Sequence, residues 1–454
     1  MELYELPKGW VWTKLGELGE IVTGTTPCKS KKEYYGEAYP FFKPTDLNTG
    51  YYVRESKDAL SDEGIKHARL LPEKSILVTC IGATIGKTGF VRVEGASNQQ
   101  INALIPNKNI LPEFIYFMCI SPKFQKSIID KASATTLPIL NKSKFEILPF
   151  PLPPLPEQNC IVAKIEELFT KRDAGVEALK KIKTQLKRYR QSVLKHAFNG
   201  KFTNENIKDG ELPNNWKWKE IKEITSVLGD GLHGTPKYSD IGNYFFINGN
   251  NLSNGKIEIK ENTKRVTIEE YEKYKKPLNK RTIFVSINGT LGNTAFYNNE
   301  KVILGKSACY FNVLDTIDKR YVRYCITSNR FINYANKTAT GSTIKNVGLK
   351  AMREFEIPIP TTLEEQQLIV DTIETHFSSA DKVQEIVDKA LTQAERLRQS
   401  ILKTAFEGRL VPQDPTDEPA SVLLERIKKE KEKLEKVRKT KGKIKRRNKN
   451  TGLM

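Results

Sequence analysis

The chain carries one twelve-residue pattern twice. Residues 190–201 have the sequence RQSVLKHAFNGK, residues 398–409 have RQSILKTAFEGR, and eight of the twelve positions are identical. The two segments lie 208 residues apart, which is too long for one solenoid unit and typical of a whole domain with its connector. The repeat therefore predicts two similar domains that present two similar surfaces.

The repeat extends over most of the chain. LPKGWVWTKLGEL (6–18) matches LPNNWKWKEIKEI (212–224), and IGATIG (81–86) matches INGTLG (287–292). At 454 residues, each copy is long enough to bury a core of its own. Matching framework residues with divergent residues between them predict one fold with two different recognition surfaces.

Each copy begins with a globular part, at about 6–150 and 212–360. Short runs rich in β-branched and aromatic residues end in glycine there, as in SILVTCIG (75–82) and TIFVSING (282–289), which is typical of buried strands followed by turns. Further runs such as LPEFIYFMCIS (111–121) predict short helices. We therefore predict two similar compact α+β domains, separated by long helices.

A helix of more than forty residues is predicted after each globular part. Apolar residues recur mostly at intervals of three or four, and Gly200 and Gly408 end the two segments. Thr362 and Glu365 have the spacing of a capping box. Neither apolar stripe has a partner in its own segment, so we expect the helices to pack on each other as an antiparallel coiled coil with pseudo-two-fold symmetry. The predicted stripe residues are Ile161, Ile165, Leu168, Leu179, Ile182, Leu186, Tyr189, Val193 and Ala197 in the first helix, and Ile369, Ile373, Phe377, Ala380, Val387, Ala394, Leu397, Ile401 and Ala405 in the second.

The connections between these parts follow from composition. The proline-dense PFPLPPLP (149–156) is predicted to end the first domain and to stiffen its junction with the helix. The predicted boundaries are 1–154 for the first domain, 155–200 for the first helix, 201–211 for a linker, 212–361 for the second domain, 362–408 for the second helix, and 409–454 for a basic, partly helical tail.

The net charge of +20 favours an anionic partner, and nucleic acid before membrane. Residues 426–449 alone hold fourteen Lys and Arg against three Glu. This tail is either a solvated, frayed helix or an arm that contacts DNA, and the sequence leaves both alternatives open.

Several function classes lack their motifs. The six cysteines form no C-x-x-C pair and the four histidines lie far apart, which predicts no metal site and a reducing cytoplasm. No charged-then-apolar leader or long apolar run predicts secretion or membrane spanning. GATIGKT (82–88) has one residue too few for a phosphate-binding loop, and its counterpart GTLGNT (289–294) lacks the lysine, so a structural turn is predicted. His196, near the helical seam, is predicted to serve packing.

Polar loops recur at matching places in both copies. KPTDLNTG (43–50) matches INGNNLSNG (247–255), SNQQIN (97–102) roughly matches GKSACY (305–310), and SATTLPILNKS (133–143) matches TATGSTIKN (338–346). Their side chains are of the kinds that hydrogen-bond base edges and phosphates. The alternative is that Asn and Gly simply make turns there, but recurrence at matching places favours recognition. The candidate DNA-binding residues are Lys43, Thr45, Asn48, Lys87, Asn98, Gln99, Gln100, Asn141, Asn248, Asn250, Asn251, Lys306, Ser307, Ser342 and Lys345.

At these motifs the chain resembles the specificity subunits of Type I restriction–modification systems. The resemblance covers about 6–425 and rests on the LPKGW opening, the GATIGKT-like element, the PLPPLPEQ entry to the first helix, the paired helix ends and DEPASVLLERIKKEKEK (417–433). It implies two target-recognition domains, each of which reads one half of a bipartite DNA sequence, held apart by two antiparallel helices. Since the loops differ between the copies, we expect the target to be asymmetric.

The resemblance also implies the partners. The helices would set the half-site spacing and dock two methyltransferase (modification) subunits, and restriction/translocase subunits would complete the nuclease. S-adenosylmethionine, ATP and Mg would then belong to the partner subunits, and this chain would be a non-catalytic subunit without cofactors. The alternative from another class is a coiled-coil scaffold that organises other proteins, with its charge serving solubility. A fused restriction–methylation enzyme would need a longer chain with more motifs.

Overall fold

The computed structural model describes residues 4–48, 51–133, 137–208, 210–341 and 343–433, with the side chain of Asn48 outside this description. In the described ranges, no helix combines the length and the apolar character needed to cross a membrane. The chain divides into two compact units, one formed by 1–178 with 390–454 and the other by 179–389. The domain boundaries predicted from the sequence stay a prediction.

The first copy contains a globular domain followed by one long helix. A short 3₁₀ turn follows its first strand at Leu15–Glu17. The strands and helices are β1 (Val11–Lys14), β2 (Gly19–Thr23), β3 (Tyr35–Phe42), β4 (Tyr52–Val53), β5 (Asp58–Leu60), β6 (Ile76–Thr79), β7 (Thr88–Val91), β8 (Ala96–Ser97), β9 (Ile101–Pro106), α1 (Pro112–Cys119), α2 (Pro122–Lys131), α3 (Lys142–Glu146), β10 (Pro149–Leu152) and α4 (Leu155–Phe198).

The second copy repeats this order, again with a 3₁₀ turn at Ile221–Glu223 after its first strand. Its strands and helices are β11 (Trp216–Glu220), β12 (Thr225–Asp230), β13 (Tyr244–Ile247), β14 (Leu252–Ser253), β15 (Lys256–Ile257), β16 (Arg265–Val266), α5 (Ile268–Tyr274), β17 (Thr282–Ser286), β18 (Thr294–Phe296), β19 (Val302–Leu304), β20 (Ala308–Val313), α6 (Lys319–Thr327), α7 (Asn329–Thr338), α8 (Leu349–Glu354), β21 (Glu356–Pro360) and α9 (Leu363–Phe406).

The two domains share one sheet topology. The main sheet of the first has the order β2-β9-β6-β7-β4, and that of the second has β12-β20-β17-β18. A second sheet follows the order β5-β3-β8 in one domain and β16-β13-β19 in the other, with a parallel pair in each. The predicted α+β fold with an internal repeat is therefore confirmed.

The proline-dense segment after each domain is partly a strand. β10 pairs antiparallel with β1, so that Pro151 lies opposite Trp12, and β21 pairs in the same way with β11. Each of these sheets has only two strands, and a proline without an N–H is tolerated where a strand edge faces away from a partner. Residues 149–152 thus complete a sheet of the domain, a strand that the sequence did not predict, and the stiffening of the junction stays a prediction.

The two predicted long helices are confirmed, and both end as expected. The glycines that follow have positive φ angles, +75° at Gly200 and +68° at Gly408, the left-handed conformation that ends a helix. At the start of α9, the backbone N–H of Glu365 donates to Thr362 Oγ1 at 3.2 Å. The predicted capping box is only half formed, since the Glu365 carboxylate accepts from Trp216 Nε1 at 2.8 Å instead.

Within each unit the helical segments run antiparallel. In the first unit, Ile161 and Ile165 share one core with Leu402 and Phe406, and further along Arg172 pairs with Glu395 at 2.9 Å. Residues later in α4 thus contact residues earlier in α9, as in an antiparallel pair of helices.

The second unit has the same arrangement. Lys183 pairs with Asp388 at 2.9 Å, and Arg190 pairs with Asp381 at 2.7 Å. Beyond these pairs, Val193 belongs to the same core as Ile369 and Ile373. Most buried residues of the two stripes therefore join a domain core, whereas Ala380 and Val387 are buried on α9 outside both cores.

Residues 420–433 are helical and pack on the first domain. Ala420, Leu423 and Ile427 are buried in the core of the first unit, and Lys108 pairs with Glu430 at 3.1 Å. Up to residue 433 the segment is therefore neither a frayed helix nor a free arm. The rest of the predicted basic tail, 434–454, lies outside the described residues.

Candidate nucleic-acid interface

In the first domain, the turn between β6 and β7 joins the loops that the sequence singled out. Its first residue, Cys80, donates its backbone N–H to the carbonyl of Gln100 at 2.7 Å, and Gly82 donates to the carbonyl of Pro138 at 3.0 Å. At the other end of the turn, Lys87 Nζ donates to the carbonyl of Pro44 at 3.2 Å. Three separate polar loops therefore meet at one end of the main sheet.

The second domain repeats this arrangement around the turn between β17 and β18. Ile287 donates to the carbonyl of Ser307 at 3.0 Å, and Gly289 donates to the carbonyl of Lys345 at 3.0 Å. The backbone N–H of Gly249 donates to Ser307 Oγ at 2.8 Å. The loops that correspond in sequence thus also correspond in space.

Both central turns depend on glycine. Gly82 and Gly86 have φ angles of +103° and +88°, and Gly289 and Gly292 have +76° and +80°. Side chains other than glycine rarely adopt these angles. The motif resembling a phosphate loop is thus a β-hairpin turn in both copies, as the sequence predicted.

Some predicted residues of the first domain serve the loop framework. Asn98 is buried and donates from Nδ2 to Gln100 Oε1 at 2.9 Å. Asn141 caps α3, because its Oδ1 accepts the backbone N–H of Lys144 at 2.9 Å. Such side chains shape the surface and keep less hydrogen-bonding capacity for a ligand.

The remaining candidates of the first domain are more accessible. Thr45 and Gln99 are exposed, and Gln99 accepts a hydrogen bond from Thr26. Lys43 is half-buried and forms an ion pair with Asp58. The backbone of Asn48 lies in a 3₁₀ turn, and its side chain lies outside the described residues.

The candidates of the second domain likewise divide into residues of the loop framework and accessible residues. Asn251 is buried and donates from Nδ2 to the Glu258 carbonyl at 2.9 Å, and Asn248 Oδ1 accepts from Ser307 Oγ at 2.9 Å. The Asn248 contact holds the 247–255 loop against the 305–307 loop, and the Asn251 contact fastens the same loop to the segment that follows it.

The accessible candidates of the second domain come from three different loops. Asn250, Lys306 and Lys345 are exposed. Lys345 Nζ reaches Asn336 Oδ1 at 2.6 Å. Ser342 lies outside the described residues. Whether any of these side chains touches DNA stays a prediction.

Sequence reasoning missed one loop in each domain. After β2, Thr25 donates its backbone N–H to the carbonyl of Ser97 at 2.9 Å, and after β12, Leu232 donates to the carbonyl of Leu304 at 2.7 Å. The signal was available, because a glycine ends or follows each strand, Gly24 and Gly231, and a Thr-Pro pair comes shortly after it at 26–27 and 235–236. These segments, 23–32 and 230–237, belong to the two loop clusters.

Buried thiols lie beside both clusters as structural groups. Burial raises the pKa of the Cys80 thiol to about 12, against the opposing effect of a hydrogen bond with Asn102. Burial likewise raises the pKa of Cys309 to about 12. Both therefore stay protonated at neutral pH. Across the part of the chain that the structure describes, no group of three or more His, Cys, Asp or Glu is arranged to hold a metal ion.

His196 differs from what the sequence predicted. Its side chain is exposed on α4, so the prediction that it packs in the helical seam was wrong. The neighbouring Ala197 and Phe198 are the residues buried there.

Comparison with known proteins identifies the repeated unit. The family model described as "Type I restriction modification DNA specificity domain" matches residues 7–188 and again 213–389. The HindI specificity subunit of Haemophilus influenzae is 38% identical over 143 residues, which are 31% of each protein. The StySPI specificity subunit of Salmonella potsdam is 25% identical over 94% of this chain and 96% of its own length.

A solved structure has the same fold. It comes from a study of complex assembly and conformational transition of the type I R-M system, and it aligns with a TM-score of 0.69 at 17% identity over 90% of this chain and 100% of its own. The two matches of the family model together cover most of the sequence, one on each copy of the repeat. The chain belongs to the family of Type I restriction–modification DNA specificity subunits.

Proposed function

We propose that this chain is the DNA sequence-specificity subunit of a Type I restriction–modification complex, in which each domain reads one half of an asymmetric bipartite target. The observation that carries the proposal is the pair of matching loop clusters, one in each copy of the family domain. Loops on a rigid scaffold are the usual place for binding residues. A net charge of +20 favours a DNA partner.

The accessible side chains differ between the clusters, which supports an asymmetric target. Thr45 and Gln99 lie exposed in the first, whereas Asn250 and Lys306 lie exposed in the second. Different donors and acceptors select different base edges in the major groove.

The long helices offer a surface for the methyltransferase subunits. Leu368, Val383 and Ile386 are exposed on α9, and Ile386 is 65% exposed. Their spacing of 15 and 3 residues keeps them on one helical face. Apolar residues aligned in this way on a solvent-facing helix are typical of a protein interface. In the complex the helices would also set the spacing between half-sites.

The chain contributes recognition, and catalysis belongs to its partners. S-adenosylmethionine would be bound by the methyltransferase subunits, and ATP and Mg by the restriction/translocase subunits. This division fits a sequence with neither a Gly-rich cofactor loop nor a catalytic methyltransferase turn.

Methylation mapping tests the proposal. The chain is co-expressed with a Type I methyltransferase subunit encoded beside it, and methylated positions in host DNA are mapped. We expect one split, asymmetric motif. Exchange of residues 212–361 for the second domain of another specificity subunit should change one half of the motif only. A motif that stays the same after the exchange would contradict the division of labour.

The predicted contacts are tested one residue at a time. Lys306→Ala should weaken binding to target duplexes, and a lysine that contacts phosphate should lower the slope of log affinity against log salt by about one. Lys350→Ala, which removes another exposed lysine, from α8 and outside the loop cluster, is the matched control. Equal effects of the two substitutions would remove Lys306 from the interface.

A further inference from the structure

A histidine–aspartate pair lies in the loop cluster of the second domain, on the segment that sequence reasoning missed. His233 Nε2 and Asp230 Oδ2 are 2.5 Å apart. Asp230 is the last residue of β12, where it pairs with Cys309 of β20, and its side chain is only 25% exposed. The His233 side chain is 74% exposed. The carboxylate of the pair is thus held by the sheet and largely covered, whereas the imidazole is accessible to solvent.

The pair fixes the direction in which His233 presents its second nitrogen. An ionised carboxylate can only accept a hydrogen bond, so the proton between the two side chains belongs to Nε2. In a neutral imidazole the other nitrogen, Nδ1, is then an acceptor. Across the described residues, no hydrogen bond to His233 Nδ1 is present.

The backbone next to His233 ties the pair to the loops of the cluster. Gly231 donates its N–H to the carbonyl of Ala308 at 3.2 Å, and Leu232 donates to the carbonyl of Leu304 at 2.7 Å. A Cβ at Gly231 would lie 2.3 Å from the carbonyl oxygens of Leu304 and Gly305, so only glycine permits this close crossing. Gly305 directly precedes the candidates Lys306 and Ser307, so the backbone beside His233 lies against the loop that carries them.

The corresponding segment of the first domain offers different chemistry. There Gly24 makes the same close crossing, since a Cβ at this position would lie 2.1 Å from the Asn98 carbonyl oxygen, and Thr26 then donates to Gln99. Each domain thus has a glycine crossing followed by a polar pair that involves an exposed residue, hydroxyl and amide in one and imidazole and carboxylate in the other. Thr26 and His233 both follow the glycine by two residues, whereas their partners come from different places, Gln99 from the 97–102 loop and Asp230 from the end of β12. The position after the glycine crossing is thus polar in both domains and differs in chemistry, as expected of a residue that determines specificity.

We propose that His233 reads a base edge in the second half-site, with Nδ1 accepting a hydrogen bond from an exocyclic amino group of adenine or cytosine, and that Asp230 is its positioning residue. This inference rests on the proposed function. Amino groups of these two bases are the donors that the major groove displays. The predicted interface therefore gains one residue outside the loops chosen from the sequence.

Two isosteric substitutions separate recognition from a structural role. The amide of asparagine lies where His233 has Nδ1, and the amide of glutamine lies where it has Nε2. His233→Asn therefore keeps a polar atom that faces outward, whereas His233→Gln keeps only the contact with Asp230. We expect Gln and Ala at position 233 to lower discrimination at one base of the second half-site by about fivefold, the effect of one hydrogen bond, and Asn to keep most of it.

The measurement uses the full chain with its methyltransferase subunit. The wild-type motif is mapped first, and binding is then measured on duplexes with single-base changes in each half-site. His67→Asn is the matched control, since His67 is also exposed and faces a carboxylate, Glu63, at 3.4 Å in the first domain. It should leave both half-sites unchanged.

Asp230 is tested through its dependence on His233. Asp230→Ala alone should relax the same base position, and Asp230→Asn, which keeps an oxygen acceptor, should restore part of the discrimination. In the His233→Ala background, Asp230→Ala should have no further effect. A purely structural role of Asp230 would instead weaken binding in both backgrounds.

The outcomes are distinct. Rescue by Gln and loss by Asn would overturn the proposal in favour of a structural pair. Weakening that is uniform across sequences, with a salt slope lower by about one, would also overturn it and assign His233 to a phosphate. If the wild-type complex itself selects no split motif, the proposed function fails, whereas a wild-type motif that survives His233→Ala unchanged ends this inference alone.

Discussion

The two domains share their buried polar contacts and differ in their exposed ones. In the first, Gln158 accepts the backbone N–H of Leu111 at 3.1 Å and donates to the carbonyl of Pro153 at 3.0 Å. In the second, Gln366 accepts from Asp318 at 2.8 Å and donates to Pro360 at 3.1 Å. One buried amide thus fastens helix to domain identically in both copies, while the loop side chains diverge.

A second contact is also shared. In each copy, the glutamate in the first turn of the long helix accepts a hydrogen bond from a tryptophan, but the neighbouring residues differ. Glu157 accepts from Trp10 Nε1 at 2.9 Å and Glu365 from Trp216 Nε1 at 2.8 Å. Gln413, from the segment after α9, approaches Glu157 at 3.5 Å. The comparison teaches that specificity can change while the frame stays fixed, because these buried contacts of the frame involve no residue of the two loop clusters.

The largest expected loss of stability comes from removal of a core side chain. Leu402→Ala deletes a fully buried side chain of the first unit, and we expect a loss of about 3 kcal/mol in the free energy of unfolding. Leu397→Ala, in the same helix at 51% exposure, should change it by less than about 0.5 kcal/mol. Urea denaturation of the two variants measures the difference, and equal losses would contradict the assigned core.

The next largest loss of stability is expected from substitution of the two buried glutamines. Gln158→Leu leaves one buried donor and one buried acceptor unpaired, which should cost about 2 kcal/mol. Hydrogen exchange should locate the loosened amides in the first unit, and in the second unit for Gln366→Leu. Gln393→Leu, at an exposed position of α9, is the control. Loosening in both units by either variant would mean that the frames are not independent.

A smaller, pH-dependent effect is expected at Glu157. Burial raises the pKa of this carboxyl group, with the Trp10 hydrogen bond opposing the shift. Because the folded pKa lies above the unfolded one, the charged carboxylate destabilises the fold, a cost that is absent below the unfolded pKa and grows as pH rises through the folded pKa.

Glu157→Gln keeps the acceptor for Trp10 and removes the charge. Its stability relative to wild type should therefore improve between about pH 4 and pH 7, by less than about 1 kcal/mol because the hydrogen bonds that Glu157 accepts from Trp10 and Gln413 oppose part of the shift. Thermal unfolding at several pH values measures this. A difference that stays constant with pH would show that charge burial is not its cause.

Thiol labelling perturbs the fold least and still distinguishes the loop cluster of the first domain from the helix that follows it. All six cysteines lie in the described residues, and Cys28 and Cys160 are exposed while the other four are buried. A hydrogen bond with Ser30 lowers the pKa of the Cys28 thiol, so it should react faster than Cys160. Target DNA should slow Cys28 and leave Cys160 at its free rate if the 23–32 segment lies at the interface; equal rates with and without DNA would place it elsewhere.

The sequence was most informative where a pattern is local. Buried strands followed by glycine turns and the helix-ending glycines were predicted, because backbone conformation alone requires these residues. The middle of the apolar stripe was overestimated, since Ile182 and Tyr189 are exposed. Periodicity predicts a helical face and says nothing about how tightly that face is covered.

Long-range features could not be predicted in the same way. β10 was missed because its strand partner lies more than 130 residues earlier in the chain and because proline argues against a strand. The loop candidates were chosen by residue type alone, which cannot separate a capping residue such as Asn141 from an exposed one such as Lys306. A partly helical tail was predicted, but composition hid the packing of the helix at 420–433 on the first domain, because its charge outweighs its three buried residues.

The discontinuity of the first unit has a consequence for biosynthesis. The second unit is one continuous stretch, 179–389, whereas the first needs residues near both chain ends. During translation the later domain can therefore complete its fold first, while the earlier one waits for residues 420–433 to leave the ribosome. A premature stop codon near residue 415 would leave the second domain complete, whereas the first domain would lack residues 420–433.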